Sequence, residues 1–531
     1  MAPDAETVKA SEPARVPAHF ERIALLPLYV NALFGHLIAH GIALVALVLL
    51  MIWTSEPRIP GWAVLVGAIV LYLGAVFLFE WCVWRNLKVG YDAEKVVVSE
   101  GVIFKRQRIL DLTHLQGLMF TSGPVLKLLH RRQVTAETAG GFKRPEVDMP
   151  ALENTQAEGF EELVYHRAHA GADAATQATP FEGSFRLPLS YIFVSALTNN
   201  SVVWAALTII VPLTTAIVQS LNSIDFNVEH IVDQGVFIWF VSLLGALIAL
   251  ILALVSISAK LLFDLARKLA AVYGYEVERS GSQLHTRRGL IVTRESFMDV
   301  RRVQALRIER PFLQRLLRFG ALTLDTAGFS NKKGEGESIT SLAPIMRKKH
   351  MQTLIKKVLP EFATNVTGER SDLRGLGRFT FGPSMTVGIA LAIALFSDPL
   401  WEWVARVLNS LFGVGASYAL AWWTPWLAWI VALGALVFMV TEIDVWFATK
   451  AAVEGDMLVL QNGRLGRNEV RIHRKNIQGL TVRQTVFQKN DHHGHLKCYI
   501  ISGSHGRCVT LRNLNDTVCA EIYDWYYTKT T

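Results

Sequence analysis

GVIFKRQRILDLTHLQ (101–116), GLIVTRESFMDVRRVQ (289–304) and GRLGRNEVRIHRKNIQ (463–478) are three versions of one pattern. Each opens on a glycine, passes through a basic stretch and reaches a glutamine at the same distance: Gly101 to Gln116, Gly289 to Gln304, Gly463 to Gln478. The period, from Gly101 to Gly289 and from Gly289 to Gly463, is much longer than a solenoid unit. Each copy therefore marks a whole domain, and each follows shortly after a pair of apolar runs.

Those runs cover 32–53 and 62–84, then 191–218 and 236–257, then a short run at 385–396 and a stronger one at 421–440. Spans of about 20 residues cross a bilayer, and the prolines of TSEPRIPG (54–61) suit a reversal between two of them. The stretch 397–412 places Trp401, Trp403, Val404, Val407 and Leu408 on one helical side and Glu402 and Arg406 on another, the pattern of a helix lying in the interface. Composition agrees with a membrane protein carrying large polar parts: 51% hydrophobic, 18% charged, mean hydropathy +0.30. The net charge of +8 suits an anionic leaflet; nucleic acid would give the same sign, and the apolar runs favour the leaflet.

The loop at 219–234 has three acids and no Lys or Arg, whereas Arg85, Lys88, Arg186, Arg267, Lys268, Arg374, Arg378 and Lys450 flank the other span ends. The charge bias then puts all three polar regions in the cytoplasm. Residues 1–21, with Pro13 and Pro17, read as a mobile tail without signal-peptide form. The four cysteines (Cys82, Cys498, Cys508, Cys519) make no CxxC and no disulfide framework, as expected of reduced thiols. Cys498 and Cys508 are symmetric about Gly503 and would lie near each other across a hairpin.

Within each polar region the periodicity is first two, then helical. YDAEKVVVSEGVIFKRQRILDL (91–112) and LHTRRGLIVTRESFMDV (284–300) break β-branched runs at glycine, as antiparallel strands and turns do. The stretches 150–167, 343–359 and 515–529 place apolar residues three or four apart and close the regions as helices. The fold class is membrane α plus β: three transmembrane helical hairpins alternating with three small β-sandwich or barrel domains, each capped by a C-terminal helix.

This arrangement resembles the bacterial pleckstrin-homology-like (PH-like) membrane proteins, of the YdbT type with three units. The residues that carry it are a hydrophobic step into Gln116, Gln304 and Gln478, from Leu112, Val300 and Ile472, and a downstream motif. That motif is Lys127-Leu128-Leu129 with Ala139-Gly140 in unit one, and Arg315-Leu316-Leu317 with Ala327-Gly328 in unit two, the two glycines equally far past Gln116 and Gln304. Unit three departs, with FQKNDHHGHLKC (487–498) for the Leu-Leu stretch and Ser502-Gly503 for Ala-Gly. The resemblance implies a partly open β-sandwich or barrel, a bacterial plasma-membrane location, and a smaller two-span protein with one such unit as a companion; it implies little chemistry. The domains then run: N-terminal tail 1–30, hairpin 31–84, PH-like domain 85–168, linker 169–188, hairpin 189–266, PH-like domain 267–360, linker 361–380, hairpin 381–446, PH-like domain 447–531.

No nucleophile elbow, P-loop, HExxH or dinucleotide fingerprint is present, so the expectation is no enzyme and no cofactor. Three groups of residues invite a function. Lys105 and Arg106, Arg288 and Arg294, and Arg464 and Arg467 belong to basic stretches at one place in each repeat, where they either meet anionic headgroups or form solvated strand faces. His492, His493 and His495 offer a weak metal site, against a polar loop tip, with no closed-zinc spacing. Glu80, inside a span and as far before Gly101 as Glu442 is before Gly463, calls for a partner or a reach to the interface; an antiparallel hairpin puts His36 opposite it. The expected function is a non-enzymatic membrane scaffold or binding platform, the alternative a component of a transport, export or envelope-stress system, with oligomeric state left open.

Overall fold

The computed structural model describes residues 20–22, 61–91, 95–138 apart from 103 and 112–114, 147–170, 183–198, 236–326, 341–396 apart from 367 and 371, 403, 406–407, 410, 424–502 and 505–528. They divide into two compact units. The first comprises Met1–Phe181, Arg279–Asp299 and Gly328–Ser330, and the second Glu182–Glu278, Val300–Ala327 and Asn331–Thr531.

In the first unit, β1 (Phe20–Arg22), β2 (Lys88–Tyr91), β3 (Lys95–Glu100) and β4 (Arg106–Asp111) form an antiparallel sheet in that order. β5 (Leu115–Ser122), β6 (Arg131–Thr138) and β7 (Val147–Glu153) form the layer that faces it, closed by the helix Asn154–Ala170. The three consecutive valines of β3 are all buried, and Val96 and Val98 meet Phe120, Val134, Met149 and Phe160 in one core. Each such side chain contributes about 2 kcal/mol by leaving water. β1 lies within the stretch read as a tail, so that reading is corrected at residues 20–22: the backbone there pairs with β2.

Next in the chain come β8 (Gly183–Arg186) and β9 (Glu276–Ser280). β10 (Gln283–Arg288) and β11 (Thr293–Asp299) then add to the first unit, β11 lying antiparallel against β5. The second sequence repeat thus lends its early strands to the first repeat's late ones. The second unit repeats the arrangement. β12 (Val303–Arg310), β13 (Phe319–Thr326) and β14 (Ser341–Arg347) continue edge to edge into β18 (Arg467–His473), β17 (Met457–Asn462), β16 (Lys450–Glu454) and β15 (Glu369–Arg370). β19 (Ile477–Arg483), β20 (His493–Ser502) and β21 (His505–Asn515) form the last layer, closed by the helix Asp516–Tyr527 over a core that includes Leu458, Val470, Leu496, Leu511 and Ile522. The sequence expectation of self-contained domains is corrected here, since sheets run from one repeat into the next.

Two helices among the described residues, Leu373–Leu395 and Trp429–Ala448, are long and apolar enough to cross a membrane. Twenty-three residues span about 34 Å at the α-helical rise. Phe379 packs with Val445 and Trp446, and Ala390 and Ala394 pack with Ala432, so the two run antiparallel with small residues at the close approach. The first begins well before the apolar run at 385, because Asp372 Oδ1 caps it by accepting from Gly375 N at 3.0 Å. Residues 361–380, read as a linker, therefore hold β15 and the start of this helix. The linker 169–188 likewise holds the end of the helix Asn154–Ala170 and β8. The boundaries at 84, 266 and 446 fall inside helices that continue to Asn86, Val272 and Ala448, because loss of hydropathy is not a helix stop. The first legs of the first two hairpins lie largely outside the described residues, as do most of 397–412.

Candidate functional site

The repeat motif sets up the joints. Gly101, Gly289 and Gly463 have φ of 109°, 106° and 147°, and an added Cβ would meet the carbonyl oxygen of Phe104, Val292 or Gly466 at 2.0, 1.9 or 2.6 Å. Glycine is the residue that takes such a turn without strain. Gln116, Gln304 and Gln478 are each the second residue of the strand that follows. The joints share one register. Gly117 and Ala305, which directly follow Gln116 and Gln304, stand opposite Met298 and Ile472, which lie equally far past Gly289 and Gly463.

Another recurrence crosses the sequence departure in unit three. His130, Arg318 and His492, at one common distance past the glutamine, are non-glycine residues at φ of 54°, 61° and 59°. Each carbonyl accepts a backbone bond from the start of the closing helix: Asn154, Lys348 and Asp516. Unit three keeps the short helix of the Leu-Leu stretch as Val486–Asn490, held by a capping box between Thr485 and Gln488. Gly140 and Gly328 lie outside the described residues.

The expected basic contacts separate into different environments. Lys105 and Arg106 are exposed beside or on β4, Arg294 is half-buried in β11, and Arg288 is buried, which corrects its reading as a surface contact. Arg464 and Arg467 bind carboxylates at the end of the helix Thr424–Ala448. Arg464 pairs with Glu442, which also accepts from Arg512 at 3.2 Å, and Arg467 holds both oxygens of Asp444 at 2.7 Å. Glu80 and Glu442, at matching places in the repeat, are both buried; His36 lies outside the described residues, and with it the pairing to Glu80.

The histidines have structural partners. His493 is fully buried at the start of β20, with Nδ1 2.6 Å from the Asp491 carbonyl and Nε2 2.8 Å from Asp372 Oδ1. It is not part of a polar loop tip, because it ties the last domain to the cap of the helix Leu373–Leu395. His495 Nδ1 accepts from Asn513 N at 3.2 Å. Among the described residues no three His, Cys, Asp or Glu side chains gather as a metal site. Cys498 aligns with Val509 rather than Cys508; it is buried and its thiol is pushed up to about 12 by burial, whereas Cys508 is exposed.

A cationic cleft is the feature that sequence reading missed. Arg310 ends β12 directly opposite Arg467, which starts β18. Together with Arg315, Lys348, Lys450 and Arg471 they line a cavity of about 420 Å³. Arg471, 1% exposed, is held by Glu469 at 2.8 Å and the Phe362 carbonyl at 2.9 Å. Arg315 donates to Asp444 at 3.1 Å and to the Leu465 carbonyl at 2.9 Å. A second cavity of about 980 Å³ shares Arg310, Arg315, Lys348 and Gln352 and adds Arg318, Arg347 and Lys349. The RKK run at 347–349 was the available signal, but it sits in a stretch read for its apolar helix face.

A four-stranded antiparallel sheet facing a three-stranded one and closed by a C-terminal helix, repeated along a chain with membrane-length apolar helices, defines a membrane protein of tandem PH-like domains. The chain belongs to the bacterial PH domain family, whose model matches residues 32–168, 202–361 and 386–530. It is 20% identical over 480 residues to the UPF0699 transmembrane protein YdbT of Bacillus subtilis (strain 168), covering 87% of this chain and 89% of that protein. No solved structure matches it significantly.

Proposed function

We propose that the chain is a non-enzymatic scaffold of the bacterial plasma membrane, multi-pass, with its PH-like domains and N-terminus cytoplasmic, and that it takes a PH-like domain of another polypeptide on the edge of β19. One observation carries this reading. The joint recurs at one register, and the third copy of its donor strand stands at a sheet edge among the described residues. Val482 is 37% exposed where its equivalents Phe120 and Ile308 are 2% and 4% exposed. An open strand edge pairs with another chain through its backbone, while side chains set the choice of partner.

Charge argues against a second copy as that partner. In the shared register β4 of another copy would set Arg106 opposite Arg483, a like-charged pair that destabilises a ladder; the inner joints set Thr121 opposite Arg294 and Glu309 opposite Asn468. A smaller two-span protein with one PH-like domain, acidic or neutral at that place, fits the edge. Lys105 and Arg106, exposed near the first domain's edge, are the remaining candidates for contact with anionic lipid.

The test is a photo-reactive amino acid at Val482 of the full chain in native membranes, with Tyr523, on the exposed face of the last helix, as the control position. The expected product is an adduct to a small PH-like membrane protein from Val482 alone. An adduct only between copies of this chain, or equal labelling from Tyr523, rejects the reading.

A further inference from the structure

The cleft at the end of β12 carries more positive charge than its own carboxylates offset. Setting Lys450 aside, Arg310, Arg315, Lys348, Arg467 and Arg471 are five cations against Asp444 and Glu469, an excess of three. Arg310 is the least satisfied of them. Its Nε is buried and has no hydrogen-bond partner among the described residues. Burial holds the Arg310 guanidinium below the usual arginine range; Glu469 opposes this, and Arg467 and Arg315 add to it. A buried charged donor left open is costly, and an anion in the cleft would remove that cost.

The backbone around Arg310 is shaped to keep it there. A Cβ at Gly320 would lie 2.4 Å from Arg310 Cγ, and a Cβ at Gly466 would lie 2.9 Å from the Arg310 carbonyl. Gly320 thus makes room for the Arg310 side chain, and Gly466 for the close approach of its backbone. The rest of the lining carries no charge and sets the polar Gln352, Thr364, Asn365 and Gln461 beside Val366 and Val459, and among the described residues it holds no aromatic ring on which a base would stack. Guanidinium forks match phosphate oxygens, and side-chain amides match hydroxyls. The cleft is also anchored to Asp444, one helical turn before the end of the candidate span Trp429–Ala448.

We propose that this cleft, built where the second and third repeats join, binds a phosphate ester with a small polar body, its phosphate on Arg310 and Lys348 and its hydroxyls on Gln352 and neighbouring amides. The ester reaches the cleft either as a lipid headgroup or as a soluble polyol phosphate. This ligand site is independent of partner binding at β19, so either proposal stands if the other fails.

The experiment uses the full chain in nanodiscs and reads thermal unfolding together with calorimetric titration. One arm adds glycerol 3-phosphate to discs of phosphatidylcholine; the other places phosphatidic acid in the disc. A raised unfolding temperature in either arm, relative to phosphatidylcholine alone, is expected, and the responding arm identifies the source. The double variant Arg310→Gln/Lys348→Gln should weaken binding at least tenfold, while Arg483→Gln, an exposed arginine on β19, should leave it unchanged. Without ligand, Arg310→Gln should unfold no lower than the parent, because it removes a buried charge that lacks a partner. A lower unfolding temperature for that variant would make Arg310 a structural residue and overturn the assignment. So would no response in either arm, or an equal loss in Arg483→Gln.

Discussion

Arg467 donates to both carboxylate oxygens of Asp444 at 2.7 Å, locking the first residue of β18 to the end of the helix Thr424–Ala448. Arg315, from the preceding repeat, reaches the same carboxylate at 3.1 Å. One acid at the end of a membrane-length helix thereby holds arginines from two repeats. Replacing Asp444 with Asn keeps the shape and removes the charge, so charge-assisted bonds worth about 2 kcal/mol are lost. The expected result is a lower denaturation midpoint in detergent together with tighter binding of phosphate esters in the cleft, whose positive excess grows. An unchanged midpoint would show that the latch adds nothing to stability.

The two glycines that flank β10 should respond differently to alanine. Gly281 has φ 54° with nothing within 4 Å of an added Cβ, whereas Gly289 has φ 106° and a Cβ there would sit 1.9 Å from the Val292 carbonyl oxygen. Gly281→Ala should cost about 1 kcal/mol, the left-handed penalty alone. Gly289→Ala adds a collision with backbone and should cost at least twice as much. Equal unfolding midpoints for the two variants would contradict the shared turn of the repeat.

The last domain should lose stability in mild acid. Burial holds the His495 imidazole below its ordinary value of 6.5, helped by Arg512, Arg483 and Lys497, and burial followed by Lys475 does the same for His473. The unfolded chain then binds these protons more readily than the folded one. Their contribution is complete above pH 6.5 and declines as pH falls below it toward the folded values. Protonation also breaks the bond that His495 Nδ1 accepts from Asn513 N. A titration of unfolding midpoint against pH should show this decline, and His495→Gln should flatten part of it. A midpoint that rises as the solution is acidified from neutrality would reverse the sign argued here.

Much of the fold was legible because it is written in local spacing. Val96, Val97 and Val98 announce β3, and the positive φ of Gly101, Gly289 and Gly463 follows from three glycines held at one place in a repeat. Unit three was harder to read, because FQKNDHHGHLKC has Asn490-Asp491 where the other two units have their Leu-Leu pair. The turn at His492 is nevertheless the turn at His130 and Arg318, since what recurs is a backbone carbonyl meeting the first N–H of the closing helix. Of the cleft, Arg467 was picked out, but for contact with lipid and not with Asp444.

The triplication, the alternation of apolar runs with strand-rich domains, and the glycine turns can all be read from the residues alone, because each rests on side-chain pattern along the chain. Tertiary structure alone decided which repeat pairs with which and where the charges gather. The contact between β12 and β18 uses backbone N–H and C=O groups that every residue carries, so no residue type marks it. Arg310 and Arg467 become neighbours only when that edge closes, and the unmatched charge of the cleft exists only from that moment.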